Sequence, residues 1–406
     1  MTSLLVVGAG LTGLFAAVLA ARRGASVTVV ARGRGNLELS HGCIDVWKAD
    51  PPLAQTINHL PDTHPYALAG FEALEAALAA FCQITTEADY PFTAGPEDSL
   101  LLPTALGTIH VTAYAPLSLA QGHMADKTPF VLAGLSGFRD FYPALAASSL
   151  KRAGLPVEGT VELPVPGAPL RRDGYATDLA YLFDRPASRQ QIARVWKPLL
   201  AGAKRVGLPA VLGLRQSSAV FLEMQERLGL PLFEIPTLPP SVPGLRLERI
   251  LRRTALNAGV QIVEGVPAVG QAGEGSRVRG VVVESAGRSR FHEAGAVLLA
   301  TGDVLGGGLE TTPDGRVRET VFDLPVLHDG DRARWINPAL LDEQPFERFG
   351  LRVDRHMRPL GMDGTTVYDN LYAAGSLLAG ADRINEGSRQ GIALVTAFCA
   401  VEAVLG

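Results

Sequence analysis

Leu4-Leu5-Val6-Val7-Gly8-Ala9-Gly10-Leu11-Thr12-Gly13-Leu14-Phe15, running on through Ala16–Gly24 to Val27-Thr28-Val29-Val30, is the stretch that decides the fold. Leu4 to Val7 is a short apolar run, the length of one strand buried on both faces. Gly8, Gly10 and Gly13 follow at G-x-G-x-x-G spacing. Leu14 to Arg23 is an alanine-rich helical segment that Gly24 ends, and Val27 to Val30 is a second strand. Strand, glycine turn, helix and strand within about 30 residues make a βαβ unit. In such a unit Gly8 permits the tight turn, Gly10 lets a phosphate come against the backbone, and Gly13 lets the helix lie close to the sheet. The first N–H groups of the helix lack carbonyl partners and face that phosphate. Gly8, Gly10, Leu11, Thr12 and Gly13 are therefore the first expected cofactor-binding residues. The competing reading is a structural glycine turn in a cofactor-free α/β domain.

One piece of the pattern is missing. A carboxylate about 20 residues past the glycines usually bonds a ribose hydroxyl pair. Here the second strand ends at Ala31, and Arg32-Gly33-Arg34-Gly35 follows. The gap weighs against ordinary adenosine recognition and leaves FMN, FAD held differently, or an NADP-like phosphate open. Arg32 and Gly33 are taken as cofactor-side candidates, with a solvated surface arginine as the alternative.

The chain has 406 residues, too many for one typical core, so two domains or one interrupted domain are expected. With 37 basic and 41 acidic residues the formal charge is −4, which excludes the dense positive field of a nucleic-acid binder. Cys43, Cys82 and Cys399 form no C-x-x-C pair, so neither a disulfide framework nor an iron–sulfur cluster held by this chain alone is expected. No basic segment with a cleavage site and no unbroken apolar run of about 20 residues appears. The expected location is cytoplasmic, with attachment to the inner face of the cell membrane through another subunit left open.

Residues 1–50 read as the first part of a nucleotide-binding domain, 51–245 as an inserted cap or substrate domain, and 246–302 as the nucleotide domain resumed. Residues 303–350 read as a return to the cap, and 351–406 as the C-terminal part of the nucleotide domain. Leu39-Ser40-His41-Gly42-Cys43-Ile44-Asp45 directly follows the second strand, where ligands sit in parallel-sheet folds. Ser40 and Gly42 are cofactor-side candidates and His41 a catalytic one, with a structural role as the alternative. In the insert, Leu106–Val111 reads as a turn into an edge or sheet strand, and short strands are expected at Phe130–Gly134 and Val206–Leu212. Helices are expected at Phe71–Phe81, Phe141–Ala153 and Gln216–Leu230. Pro236-Thr237-Leu238-Pro239-Pro240-Ser241-Val242-Pro243-Gly244 reads as a rigid connector. Arg246, Arg249, Arg252 and Arg253 after it read as a solvated helix face, with anion binding as the alternative. His356, in Arg355-His356-Met357-Arg358, is a candidate proton acceptor. No H-E-x-x-H, G-x-S-x-G or Walker motif occurs, and the eight histidines are scattered, so no metal site is expected.

The C-terminal third completes the opening. Val260–Val263 reads as a strand, Val278–Glu284 and Ser289–His292 as antiparallel strands about a turn at Gly287, and Ala296–Leu299 as a strand ending in Ala300-Thr301-Gly302. Leu371-Tyr372-Ala373-Ala374-Gly375 is a further strand, and Gly391–Val404 an apolar helix. This order resembles the glutathione-reductase-like flavoproteins. It implies an α/β, FAD/NAD(P)-binding Rossmann-type fold with an inserted α+β cap domain. The resemblance puts Ala300, Thr301, Gly302, Gly375 and Ser376 at the cofactor, with Ser376 where that superfamily usually carries a ribityl-contacting aspartate.

The chain is also similar, from first strand to last helix, to the B-subunit family of anaerobic glycerol-3-phosphate dehydrogenase. The likeness is carried by Gly8–Leu14, Ser40–Asp45, Leu101–Thr108, Gly134–Phe141, Ala147–Leu150, Pro236–Gly244 and Asn370–Gly375. It implies FMN, with FAD as the alternative. It also implies a second flavoprotein subunit, an iron–sulfur subunit, and oxidation of sn-glycerol 3-phosphate to dihydroxyacetone phosphate with electrons passed to quinone. Arg383 is then the substrate-side candidate, since Asp382-Arg383-Ile384-Asn385-Glu386-Gly387 follows the strand that reaches the flavin. Asn385 and Gln390 are candidates at the flavin's pyrimidine edge, Gly391 is a further cofactor-side candidate, and Glu386 caps or polarises the loop. A self-sufficient flavin oxidoreductase for another small substrate, and a structural subunit with a decayed cofactor site, are the alternatives.

Overall fold

The computed structural model describes residues 2–48, 52–94, 99–168, 174–272, 275–285, 288–339 and 342–406, so the expected turn at Gly287 lies outside the described residues. The chain forms two compact units: residues 1–36, 45–84 and 251–406 make the first, and residues 37–44 and 85–250 the second.

The first unit is built on a five-stranded sheet ordered Gln261–Glu264, Ser26–Ala31, Ser3–Val7, Ala296–Leu299, Leu371–Ala373. Every pairing in it is parallel. Its central strands read as unbroken apolar runs because both faces are covered. Helix Leu11–Arg22 buries every residue from Leu11 to Ala20, including Leu14 and Phe15 at 0% exposure. Burying side chains of that size stabilises by about 1.5–3 kcal/mol each. The closing helix Arg389–Leu405 packs against it, with Gly391 to Ala397 buried. An antiparallel meander of Ala268–Ala272, Val278–Ser285 and Arg288–Glu293 lies in the chain between strands Gln261–Glu264 and Ala296–Leu299.

The segments 51–84 and 303–350, expected in the cap, pack with this first unit instead. Phe81 meets Phe15 edge-on at 6.2 Å, and Val326–Leu327 pairs with Gly350–Leu351, which in turn bridges Leu378. Such contacts are long-range and leave no mark on local composition. Among the described residues no helix is long and apolar enough to cross a membrane.

The second unit corrects the α+β expectation. Its main sheet, ordered Leu232–Ile235, Val206–Pro209, Phe130–Leu135, Val157–Leu163, is parallel throughout. Helices Pro143–Arg152, Ala176–Phe183, Pro186–Leu199 and Ser217–Leu228 make the crossovers that parallel pairing requires. Two short antiparallel pairs, Phe92–Ala94 with Tyr114–Pro116 and Leu100–Pro103 with Ile109–Thr112, accompany it.

Arg246 is neither on a solvated face nor turned to an anionic ligand. It is 1% exposed, donating to Glu234 at 2.5 and 3.0 Å and to the Gly213 carbonyl at 2.8 Å. Glu234, also 1% exposed, further accepts from the Ser118 hydroxyl and the Leu212 N–H, each at 2.7 Å. This saturated pair ties helix Val242–Asn257 to the sheet. Arg249 and Arg253 are exposed, as expected of that helix, and Arg252 pairs with Glu264 at 2.6 Å.

Candidate functional site

Strands Ser3–Val7, Ala296–Leu299 and Leu371–Ala373 are sheet neighbours and parallel, so the loops after them share one edge of the sheet. The chain order reverses between the first two, the kind of place where such folds bind ligands. Gly8, at φ +118°, has no room for a side chain, since a Cβ there would overlap the Ala300 carbonyl. A Cβ on Gly13 would overlap the Gly8 carbonyl. Gly10 differs: its φ of −82° suits any residue, and a Cβ there meets nothing within 4 Å. Its role is open space above the backbone. Gly375 packs on Thr12, and Gly302 faces Ser376, whose Oγ lies 3.6 Å from where its Cβ would be. Gly8, Gly10, Leu11, Thr12, Gly13, Ala300, Thr301, Gly302, Gly375 and Ser376 are thus brought together.

Gly10 caps helix Leu11–Arg22 with no side-chain bond, and the first turn carries no acid. The first intrahelical bond is Leu14 N–H to the Gly10 carbonyl, so the N–H groups of Leu11, Thr12 and Gly13 have no helical partner. The macrodipole adds positive potential there. Two buried polar atoms, Thr301 Oγ1 and Gln390 Oε1, have no protein partner. Open space, uncapped donors and orphaned atoms fit a bound phosphate-bearing cofactor. The loop after the second strand also reaches this turn, since a Cβ on Gly35 would lie 2.7 Å from Gly10 Cα. Arg32 and Gly33 are exposed on that loop.

A charged cluster lies on the loops of the same unit. Arg383 is 2% exposed, donates to the Leu378 carbonyl at 3.2 Å, and leaves Nε unpartnered. Its Nη2 is 3.8 Å from both Asp303 and Glu347, too long for hydrogen bonds. Burial lowers the Arg383 pKa against the pull of those carboxylates. Burial likewise pushes the Glu347 carboxyl up, although Arg383 and Arg389 oppose it. Glu386 behaves otherwise. Burial alone would raise it, but hydrogen bonds from His64, Ser388 and the Asp382 N–H hold it below the ordinary value. Glu347, Asp303 and His64 were not singled out from the sequence. Asp303 follows Ala-Thr-Gly directly and had that signal, whereas Glu347 had none.

The remaining candidates have the following local partners. Asn385 has its amide nitrogen donating to Asp382 at 2.8 Å, so it is committed within its own loop. Gly391 packs against the Tyr66 hydroxyl and donates to the Asp45 carbonyl at 2.9 Å. His356 is exposed on the Asp354–Arg358 turn, its ring accepting from Arg355 at 3.4 Å. Ser40, His41 and Gly42 belong to the second unit. Ser40 donates to the Leu37 carbonyl, Gly42 packs on Pro243, and His41 Nδ1 accepts from Cys43 N–H while its ring lies 4.2 Å from that of His110.

A family described as FAD binding domain matches residues 3–392. The chain is 34% identical to a protein of Halobacterium salinarum named as the probable B subunit of anaerobic glycerol-3-phosphate dehydrogenase, over 98% of this chain and 96% of that one. It is 30% identical to the B subunit of anaerobic glycerol-3-phosphate dehydrogenase of Pectobacterium atrosepticum, over 98% and 97%. The chain belongs to the B-subunit family of anaerobic glycerol-3-phosphate dehydrogenase. Among solved structures it is similar to 3-ketosteroid delta1-dehydrogenase from Sterolibacterium denitrificans, with 12% identity, TM-score 0.44, and coverage of 100% of this chain and 99% of that one. That likeness is too distant to carry an argument.

Family membership corrects two expectations. The wider group is the FAD binding domain family, not specifically the glutathione-reductase-like one. The flavin is FAD, not FMN. A glycine turn of this kind cradles a pyrophosphate, which a dinucleotide has and a mononucleotide lacks. As a member of both families, the chain is a flavin-dependent oxidoreductase.

Proposed function

We propose that this chain is the FAD-holding B subunit of a multi-subunit dehydrogenase that oxidises sn-glycerol 3-phosphate to dihydroxyacetone phosphate and delivers the electrons to quinone. A second flavoprotein subunit and an iron–sulfur subunit complete the complex, since this chain carries only three scattered cysteines. The single observation that carries the cofactor assignment is the uncapped helix start beside the open space over Gly10.

In this reading the N–H groups of Leu11, Thr12 and Gly13 hold the pyrophosphate, and Thr301 and Ser376 offer hydroxyls at the neighbouring strand ends. Arg32 stands on the adenosine side in place of the absent acid, and Gln390 turns its orphaned amide oxygen to the ring. Bound FAD supplies a two-electron acceptor. Arg383 binds the substrate phosphate. Its Nε has no partner and its Nη2 stands 3.8 Å from both Asp303 and Glu347, too far for hydrogen bonds, so donors remain for an added anion.

Anaerobic titration of the FAD-loaded chain with sn-glycerol 3-phosphate, following flavin absorbance, tests this. Bleaching is expected if the chain oxidises the substrate itself. A flavin that dithionite reduces but the substrate does not would refute that role and leave electron relay from the partner flavoprotein.

A further inference from the structure

Glu386 occupies the middle of the loop that carries Arg383 and Gln390. Its Oε1 accepts from the Asp382 N–H at 2.9 Å and its Oε2 from the Ser388 hydroxyl at 2.8 Å, so the carboxylate closes the loop on itself. The backbone repeats the closure, with Glu386 N–H to the Asp382 carbonyl at 2.9 Å and Ser388 N–H to the Arg383 carbonyl at 3.2 Å. This closed loop is tied to distant chain: the Lys48 N–H donates to the Glu386 carbonyl at 2.9 Å, and His64, 322 residues away in sequence and 1% exposed, holds the carboxylate itself, its Nε2 3.2 Å from Glu386 Oε2.

The tautomer follows from the geometry. His64 Nδ1 accepts from the Tyr66 N–H at 3.1 Å, so a neutral ring carries its proton on Nε2 and donates it to Glu386. The next residue but one braces the start of the closing helix. Tyr66 donates to the Val46 carbonyl at 2.7 Å, and Gly391 has no side chain because the Tyr66 hydroxyl fills its place. A purely structural contact here is served as well by apolar packing, since burying polar partners yields little net stability. What the imidazole adds is direction.

Resting on the FAD assignment above, we propose that His64 is a positioning residue: through Glu386 it fixes the loop Asp382–Gln390 that presents Arg383 and Gln390 to the cofactor site. His64 touches neither cofactor nor substrate. It sets where the groups that do so stand.

Two isosteres separate this role from helix capping. In His64→Asn the amide oxygen takes the place of Nδ1, keeping the cap on Tyr66 but losing the donor to Glu386. In His64→Gln the amide nitrogen reaches the place of Nε2, losing the cap but keeping the donor. The readouts are the FAD dissociation constant, the visible circular dichroism of the bound flavin, and the thermal midpoint of each protein. His64→Asn is expected to weaken FAD by roughly 10-fold, the worth of one hydrogen bond, and to alter the flavin spectrum at a near-native midpoint. His64→Gln is expected to restore the spectrum and most of the affinity. Glu386→Gln, which leaves the cap intact and turns a donor toward His64, is expected to reproduce the Asn effect. Native FAD binding and spectrum in His64→Asn, or loss of FAD in strict parallel with stability across all three variants, overturns the proposal. A wild-type chain that binds no FAD instead sinks the reading beneath it.

Discussion

Gly10→Ala separates cofactor binding from folding, because the folded chain gives that glycine nothing to do. Its φ of −82° and ψ of −169° are open to alanine, and the added methyl meets no atom within 4 Å. The apoprotein loses only the difference between glycine and alanine at a helix N-cap, about 1 kcal/mol or less. For a unit of this size that is a fall of roughly 2–4 °C in Tm. With FAD the methyl occupies the space of the pyrophosphate. It costs one charge-assisted hydrogen bond, about 1.5–3 kcal/mol, hence a Kd roughly 10- to 150-fold weaker. Gly13→Ala is the control, since its methyl strikes the Gly8 carbonyl with or without ligand. It should destabilise the apoprotein by about 1–3 kcal/mol. Flavin fluorescence quenching gives the Kd, and thermal melts of the apoproteins give the stability. Wild-type FAD affinity in Gly10→Ala would refute the assignment of the pyrophosphate to this turn.

Two further predictions concern parts of the chain away from that turn. Arg246→Met strands Glu234 in the core of the second unit and should cost about 3–5 kcal/mol, whereas the double change Glu234→Leu with Arg246→Met should cost much less; urea unfolding followed by the buried Trp196 distinguishes them. Burial, with Glu402 nearby, pushes the Cys399 thiol up to about 11, so at pH 8 its alkylation by iodoacetamide should be at least ~10-fold slower than that of free cysteine by peptide mass mapping, and equal rates would contradict the burial.

Local signals were legible where a physical requirement repeats within a few residues. The glycine turn, the strands flanking it, and the strand ending in Ala-Thr-Gly could be read because a strand buried on both faces must be apolar and a phosphate turn must lack side chains. The parallel sheet of the second unit was harder. Its strands of four to seven residues look alike whether paired parallel or antiparallel, and only the crossover helices between them decide. Arg246 misled for a related reason. A basic residue on a helix is usually solvated, and nothing within its own segment announces that Glu234 waits on a neighbouring strand.

By itself, then, the sequence determined the βαβ opening, the order of strand ends that returns to it, and the family. Each rests on spacing along the chain, and spacing is what a sequence records. The tertiary structure alone decided that Asp303 and Glu347 flank Arg383, and that His64 reaches Glu386 across 322 residues. Those pairings depend on where the folded backbone sets each side chain in space, and burial there pushes the Glu347 carboxyl up and the Arg383 guanidinium down, whereas hydrogen bonds hold the Glu386 carboxyl low.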